Sequence, residues 1–274
     1  ISKEKIEIAS SICKVDLLSD LVNEFPELQG ILGGYFAEVQ GFEKEVCTAV
    51  SEHYLPIGLD SRIPKKQYSI ALSLSDKLDS LVGFFGLDLK PSSSKDPYAL
   101  RRLAIGLIKM ILDNNKKIKL KDLINYSVQL YGEQNINFNS KNIQKNLFEF
   151  FHDRFKYFMK DKEIRNDIIE SVLQDYNLDN ILKIYNKSLI LNKLINKEIG
   201  KDVMFSYKRA SNIIASELKN NNIELTSSAD PGLFKNESEK KLYKKTLILN
   251  KLITKQTGQD VMFSYKRASN IISN

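Results

Sequence analysis

The sequence predicts an all-α protein, and three observations carry that prediction. Apolar residues return every three or four positions through most of the chain, and no stretch shows the strict alternation of a half-buried strand. A segment with the pattern of a helix pair is also present twice near the C-terminus. At 274 residues the chain can bury a substantial core in one or two domains, and 42% hydrophobic with 27% charged residues is an ordinary globular balance. The longest apolar run, 103–112, is interrupted by Lys109 and is too short to span a bilayer. Cys13 and Cys47 have neither metal nor redox spacing and fit a reducing, cytoplasmic setting. The start, Ile1-Ser2-Lys3-Glu4-Lys5, lacks both a methionine and the apolar core of a signal peptide, as expected of a fragment.

In chain order, residues 6–41 read as helical. Leu17, Leu18, Leu21, Val22, Phe25, Leu28, Ile31, Leu32 and Tyr35 trace one apolar face, which Pro26 breaks or kinks. Gly30, Gly33 and Gly34 suit close helix packing, since no phosphate-binding glycine fingerprint accompanies them. A further helix over 43–53 leads into a loop between Pro56 and Pro64. The central helix then covers 68–86, with Ile70, Ala71, Leu74, Leu78, Leu81, Val82 and Phe85 as its stripe and Gly86 as its stop. After a short polar loop, Asp96-Pro97 is expected to open the next helix, the carboxylate capping its first amides. Leu100, Leu103, Ala104, Leu107, Ile108 and Ile111 form that helix's buried face.

Two more helices follow, over 120–131 and 140–160. In the second, Phe148, Phe151, Phe155 and Phe158 recur every three or four residues, which predicts core packing rather than a surface for stacking bases. Residues 189–214 then recur as 247–272, with 22 of 26 positions identical. Each copy reads as a helix, a stop at Gly200 or Gly258, a cap at Asp202 or Asp260, and a second helix.

Cations are the candidate binding residues. The formal net charge is +7, but residues 1–182 hold 24 Lys+Arg against 26 Asp+Glu, while 183–274 hold 17 against 8. The basic excess therefore lies in the final third, where it attracts nucleic-acid phosphates or simply solvates the surface. Lys95, Arg101 and Arg102 flank a helix N-terminus, an unusual place for cations. Either they build a phosphate site with the free amides there, or they pair with a carboxylate such as Asp76, Asp79 or Asp96. Lys65 and Lys66 are candidates for phosphate contact or ordinary solvated residues. Tyr207-Lys208-Arg209 and Tyr265-Lys266-Arg267 pair an aromatic ring with cations, either facing RNA or with the tyrosine in the core.

Four blocks carry a resemblance: Val15-Asp16-Leu17-Leu18, EFPELQGILGGYFA over 24–37, EHYLP over 52–56, and SDKLDSLVGFFGLDLKPSSSKDPYALRRLAIGLIKMI over 75–111. In this order they resemble the β subunit of bacterial heterotetrameric glycyl-tRNA synthetase, most clearly over 8–112 and more weakly to about 243. The resemblance implies a degenerate HD-like helical domain over 1–132, a helical linker region with the first repeat copy over 133–219, and a linker with the second copy over 220–274. It also implies a cytoplasmic glycine–tRNA ligase component whose partners are an α subunit and glycine tRNA. ATP is used on α in that family, and no catalytic group, metal or cofactor is expected on this chain. Taken with the cations above, the candidate tRNA-binding residues are Lys65, Lys66, Lys95, Arg101, Arg102, Lys208, Arg209, Lys266 and Arg267. Asp16 and Asp76 are the expected remnants of the HD-like domain's acidic positions, and they are expected to cap, pair or pack.

Two alternatives accompany this reading. One is an inactive, truncated relic that keeps a helical fold. The other is an HD-type metal phosphohydrolase, suggested by His152-Asp153, although His53 and His152 alone cannot supply the histidine-rich ligand set of that chemistry.

Overall fold

The computed structural model describes residues 2–58, 60–136, 138, 142–173 and 180–198, and in addition Gly200, Asp202, Phe205, Arg209 and Glu237. The fold is all-α, with ten α-helices and no strand among these residues. In order they are α1 (Lys3–Ile12), α2 (Asp20–Glu24), α3 (Ile31–Val39), α4 (Lys44–Glu52), α5 (Gln67–Gly86), α6 (Leu100–Asp113), α7 (Leu120–Glu133), α8 (Ile143–Asp161), α9 (Asn166–Leu173) and α10 (Ile181–Ile195). The chain divides into two compact units. The first holds Ile1–Met159 and Asn177–Tyr185, the second Lys160–Tyr176 and Asn186–Asn274.

The first unit is organised around α5. This helix packs against α1, α4, α6 and α7, and it buries Ile70, Leu78, Leu81, Val82 and Phe85, as their spacing predicts. It ends at Gly86, where an added methyl would collide with the Phe138 ring. Beside it, α6 sinks almost its whole length, with Ala104, Leu107, Ile108, Met110 and Ile111 fully shielded. On α8, Phe151, Phe155 and Phe158 are buried and Phe148 is half-buried, so the aromatic run is core.

The 15–39 segment departs from the predicted continuous apolar face. A 3-10 turn over Val15–Leu18, the short α2 and a second 3-10 turn over Pro26–Leu28 precede α3. Pro26 takes the first position of its turn, so the break falls where the sequence places it. Of the nine apolar residues in that face only Val22 is buried; Leu17, Leu18, Leu21, Phe25, Ile31 and Tyr35 are exposed. Helical spacing reveals a two-faced element but not what covers the apolar face.

The glycines here serve packing. A methyl on Gly34 would lie 2.7 Å from Ser51 Cβ and 3.1 Å from the Cys47 carbonyl, so α3 and α4 touch along a glycine surface. Gly30 begins α3 with φ +81°, a conformation that other residues adopt at a cost.

In the second unit, α10 contains the start of the first repeat copy, 189–195. The helix ends at Ile195, five residues before the expected stop at Gly200. Glu198, Gly200 and Asp202 already have helical backbone, so neither Gly200 nor Asp202 sits at the predicted boundary. The second copy, 247–272, lies outside the described residues.

Candidate nucleic-acid interface

The loop between α5 and α6 is built from local hydrogen bonds. The Ser92 amide donates to the Lys95 carbonyl at 2.9 Å, and the Lys95 amide donates to Ser92 Oγ at 3.1 Å. The Tyr98 ring stacks on Phe84 with centroids 4.2 Å apart, which fastens the loop to the last turns of α5. Asp96-Pro97 does not open the helix. The Ala99 amide instead closes a turn onto the Asp96 carbonyl at 3.1 Å, Ala99 adopts φ +54°, and α6 begins at Leu100.

Asp96 nevertheless caps. Its Oδ1 accepts from the Leu100 amide at 2.8 Å and its Oδ2 from the Arg101 amide at 3.0 Å. The protein's own carboxylate thus occupies the amides that a phosphate would otherwise use. Arg101 turns inward to the same group, its Nη1 3.9 Å from Asp96 Oδ2, while its Nη2 donates to the Ser92 carbonyl. Of the two readings open in the sequence, the Asp96 ion pair is the one that Arg101 makes. Lys95 and Arg102 remain exposed.

Lys65 and Lys66 are exposed at the other end of α5. Lys65 Nζ donates to the Asp113 carbonyl at 3.3 Å, a favourable place for a cation at the C-terminus of α6, and Lys66 Nζ lies 3.5 Å from Thr48 Oγ1. Because Lys65 reaches the C-terminal end of the 14-residue α6 and Arg102 lies in its first turn, roughly the length of that helix, about 21 Å, separates them. Arg209 is exposed on helical backbone, while Lys208, Lys266 and Arg267 lie outside the described residues.

A polar cluster beneath α3 joins residues that the sequence reading kept apart. The buried Asp16 accepts from the Gly30 amide at 2.5 Å, and Asp76 pairs with Lys14 at 2.5 Å, so these two carboxylates cap and pair as expected. Lys14 Nζ also sits 4.5 Å from the centre of the Tyr54 ring. His53 is fully buried, and its Nδ1, 2.6 Å from the Val50 carbonyl, donates to it. Burial pushes the imidazole below its ordinary value.

Lys77 is the residue that sequence reasoning missed. It is 1% exposed, and its three N–H donors are shared among four acceptors within reach of Nζ: the carbonyls of His53 at 3.2 Å, Tyr54 at 3.1 Å and Leu55 at 2.9 Å, and Ser73 Oγ at 3.0 Å. It therefore ties α5 to the chain leaving α4. A signal existed: Lys77 falls three residues after Leu74 and four before Leu81, on the apolar stripe itself. Elsewhere, His152 Nδ1 lies 3.5 Å from Asp153 on α8. Among the described residues, no group of three or more His, Cys, Asp or Glu side chains is placed to hold a metal ion.

The profile of the family described as "Glycyl-tRNA synthetase beta subunit" matches residues 1–174. The chain belongs to this family. Among glycyl-tRNA synthetase beta subunit relatives, the "Glycine--tRNA ligase beta subunit" of Rickettsia canadensis is 37% identical over 268 residues, covering 97% of this chain and 37% of that protein. That of Dinoroseobacter shibae is 35% identical over 259 residues, covering 86% of this chain and 36% of its own length. The chain thus spans about a third of the length of the curated relatives it matches. The family match contains the 92–102 loop, Asp16, Asp76 and Lys77. No described helix is long and apolar enough to cross a membrane.

Proposed function

We propose that this chain is a non-catalytic module of a cytoplasmic glycine–tRNA ligase. It helps to bind and position glycine tRNA, while the α subunit performs the ATP-dependent glycylation. The module itself holds no cofactor, and its contribution is orientation of the reactants rather than bond chemistry. The observation that carries this reading is the 92–102 loop, in a segment that matches the β-subunit family. Asp96 and Arg101 fix the loop's shape from within, and Lys95 and Arg102 are left at its surface. Exposed cations on a rigid loop suit contact with a phosphate backbone, because little side-chain and loop order is lost on binding. Lys65 with Lys66, and Lys208 with Arg209, extend the proposed contacts along the tRNA; Lys266 and Arg267 do the same in the second repeat copy.

Titration of glycine tRNA against the chain at several salt concentrations tests this reading. Replacing both Lys95 and Arg102 with Ala is expected to weaken binding about tenfold or more near physiological salt. It is also expected to lower the slope of log affinity against log salt by about one for each cation lost. An unchanged slope removes the loop from the interface. A folded chain that binds no tRNA at all supports the relic instead.

A further inference from the structure

On α3, Ile31, Tyr35 and Val39 recur at intervals of four and are 41%, 60% and 83% exposed, so an entire stripe of this helix is apolar and meets solvent. In the segment before α3, Leu17, Leu18 and Leu21 are exposed as well, Leu18 by 87%. The Asp16–Gly30 hydrogen bond ties the Val15–Leu18 turn to the start of α3. The opposite side of α3 is closed against α4 by Gly33 and Gly34. In all, nine large apolar side chains between residues 15 and 42 are exposed, a concentration that marks an interaction surface rather than scattered surface residues.

Charge decides the kind of partner. No lysine, arginine or histidine occurs between Lys14 and Lys44, whereas Asp20, Glu24, Glu27 and Glu38 are exposed within that segment; Glu43, also exposed, pairs with Lys5 at 2.6 Å. Such a rim repels a phosphate backbone and an anionic membrane alike. It attracts a protein helix whose apolar stripe is flanked by lysines or arginines, because the apolar centre and the charged rim are then complementary at once. We propose that the α3 face docks such a partner protein. The inference rests on the function proposed above, in which that partner is the α subunit and tRNA is held elsewhere on the chain.

The probe is the cognate α subunit, titrated against the chain at low and high salt, with glycine tRNA titrated in parallel. Two double variants are compared with the wild-type chain: Leu18→Asp with Val39→Asp, and Glu24→Lys with Glu38→Lys. All four positions are exposed, so unchanged circular dichroism and urea midpoints are expected. The wild-type chain is expected to bind α more weakly as salt rises, and each double variant to bind it at least about tenfold more weakly, with tRNA affinity unaltered. Variants that bind α as the wild type does overturn this inference and leave the proposed function standing. Equal losses for α and tRNA overturn it too, since a docking face moves only one of them. A wild-type chain that does not bind α overturns the proposed partnership and this inference with it.

Discussion

Lys77→Met is expected to destabilise the fold by about 3–5 kcal/mol, measured as the shift of the urea unfolding transition. Methionine has nearly the shape of lysine without the ammonium, so packing is retained while the donors and the buried positive charge are lost. The carbonyls of His53 and Tyr54 then lose a buried donor, and each such group costs about 1–3 kcal/mol when left without one. Domains of ordinary stability have about 5–15 kcal/mol in hand, so the variant approaches the limit of folding. The same residue has a pH signature. Burial holds the Lys77 amine down to about 8 from its usual 10.5. Between those values the unfolded chain binds the proton and the folded chain does not, so Lys77 makes stability rise with pH across that window. The stability gap between wild type and Lys77→Met is therefore expected to widen from pH 8 to pH 10.5, other groups cancelling in the comparison.

Asp96→Ala is expected to cost about 2–3 kcal/mol, the worth of a carboxylate capping two amides at a helix start. The loss is also local. Amide exchange at Leu100 and Arg101 is expected to accelerate sharply, because both amides lose their acceptor and Arg101 loses its inward partner. Asp96→Asn, which keeps a capping oxygen, is expected to recover about half of the stability. Accelerated exchange confined to α8 and absent from Leu100 and Arg101 would contradict the assignment of Asp96 as the cap.

These two residues show what the sequence makes legible. The stripe of α5, its stop at Gly86 and the phenylalanines of α8 depend on neighbours within a few positions, and spacing reads them directly. Asp96 was legible as a cap, but the turn through Ala99 that delays α6 to Leu100 depends on a left-handed residue that alanine does not announce. Lys77 lies on the apolar stripe, yet a lysine is ordinarily read as solvated. Its carbonyl acceptors are 22 to 24 positions away and become visible only when α4 and α5 meet. The apolar residues of 15–39 fail in the opposite sense. Their spacing reads as core, and the fold covers one side of α3 with α4 and leaves the other bare. At the basic loop the sequence offered a phosphate site or an ion pair, and the geometry divides the roles, with Arg101 inward and Arg102 outward.

The proposal that the chain is a working module of a glycine–tRNA ligase is tested most directly by co-elution with the cognate α subunit on a sizing column, with and without glycine tRNA. A shift to a larger complex is expected with α alone, and a further shift when tRNA is added. Separate elution of the folded chain under both conditions would contradict it.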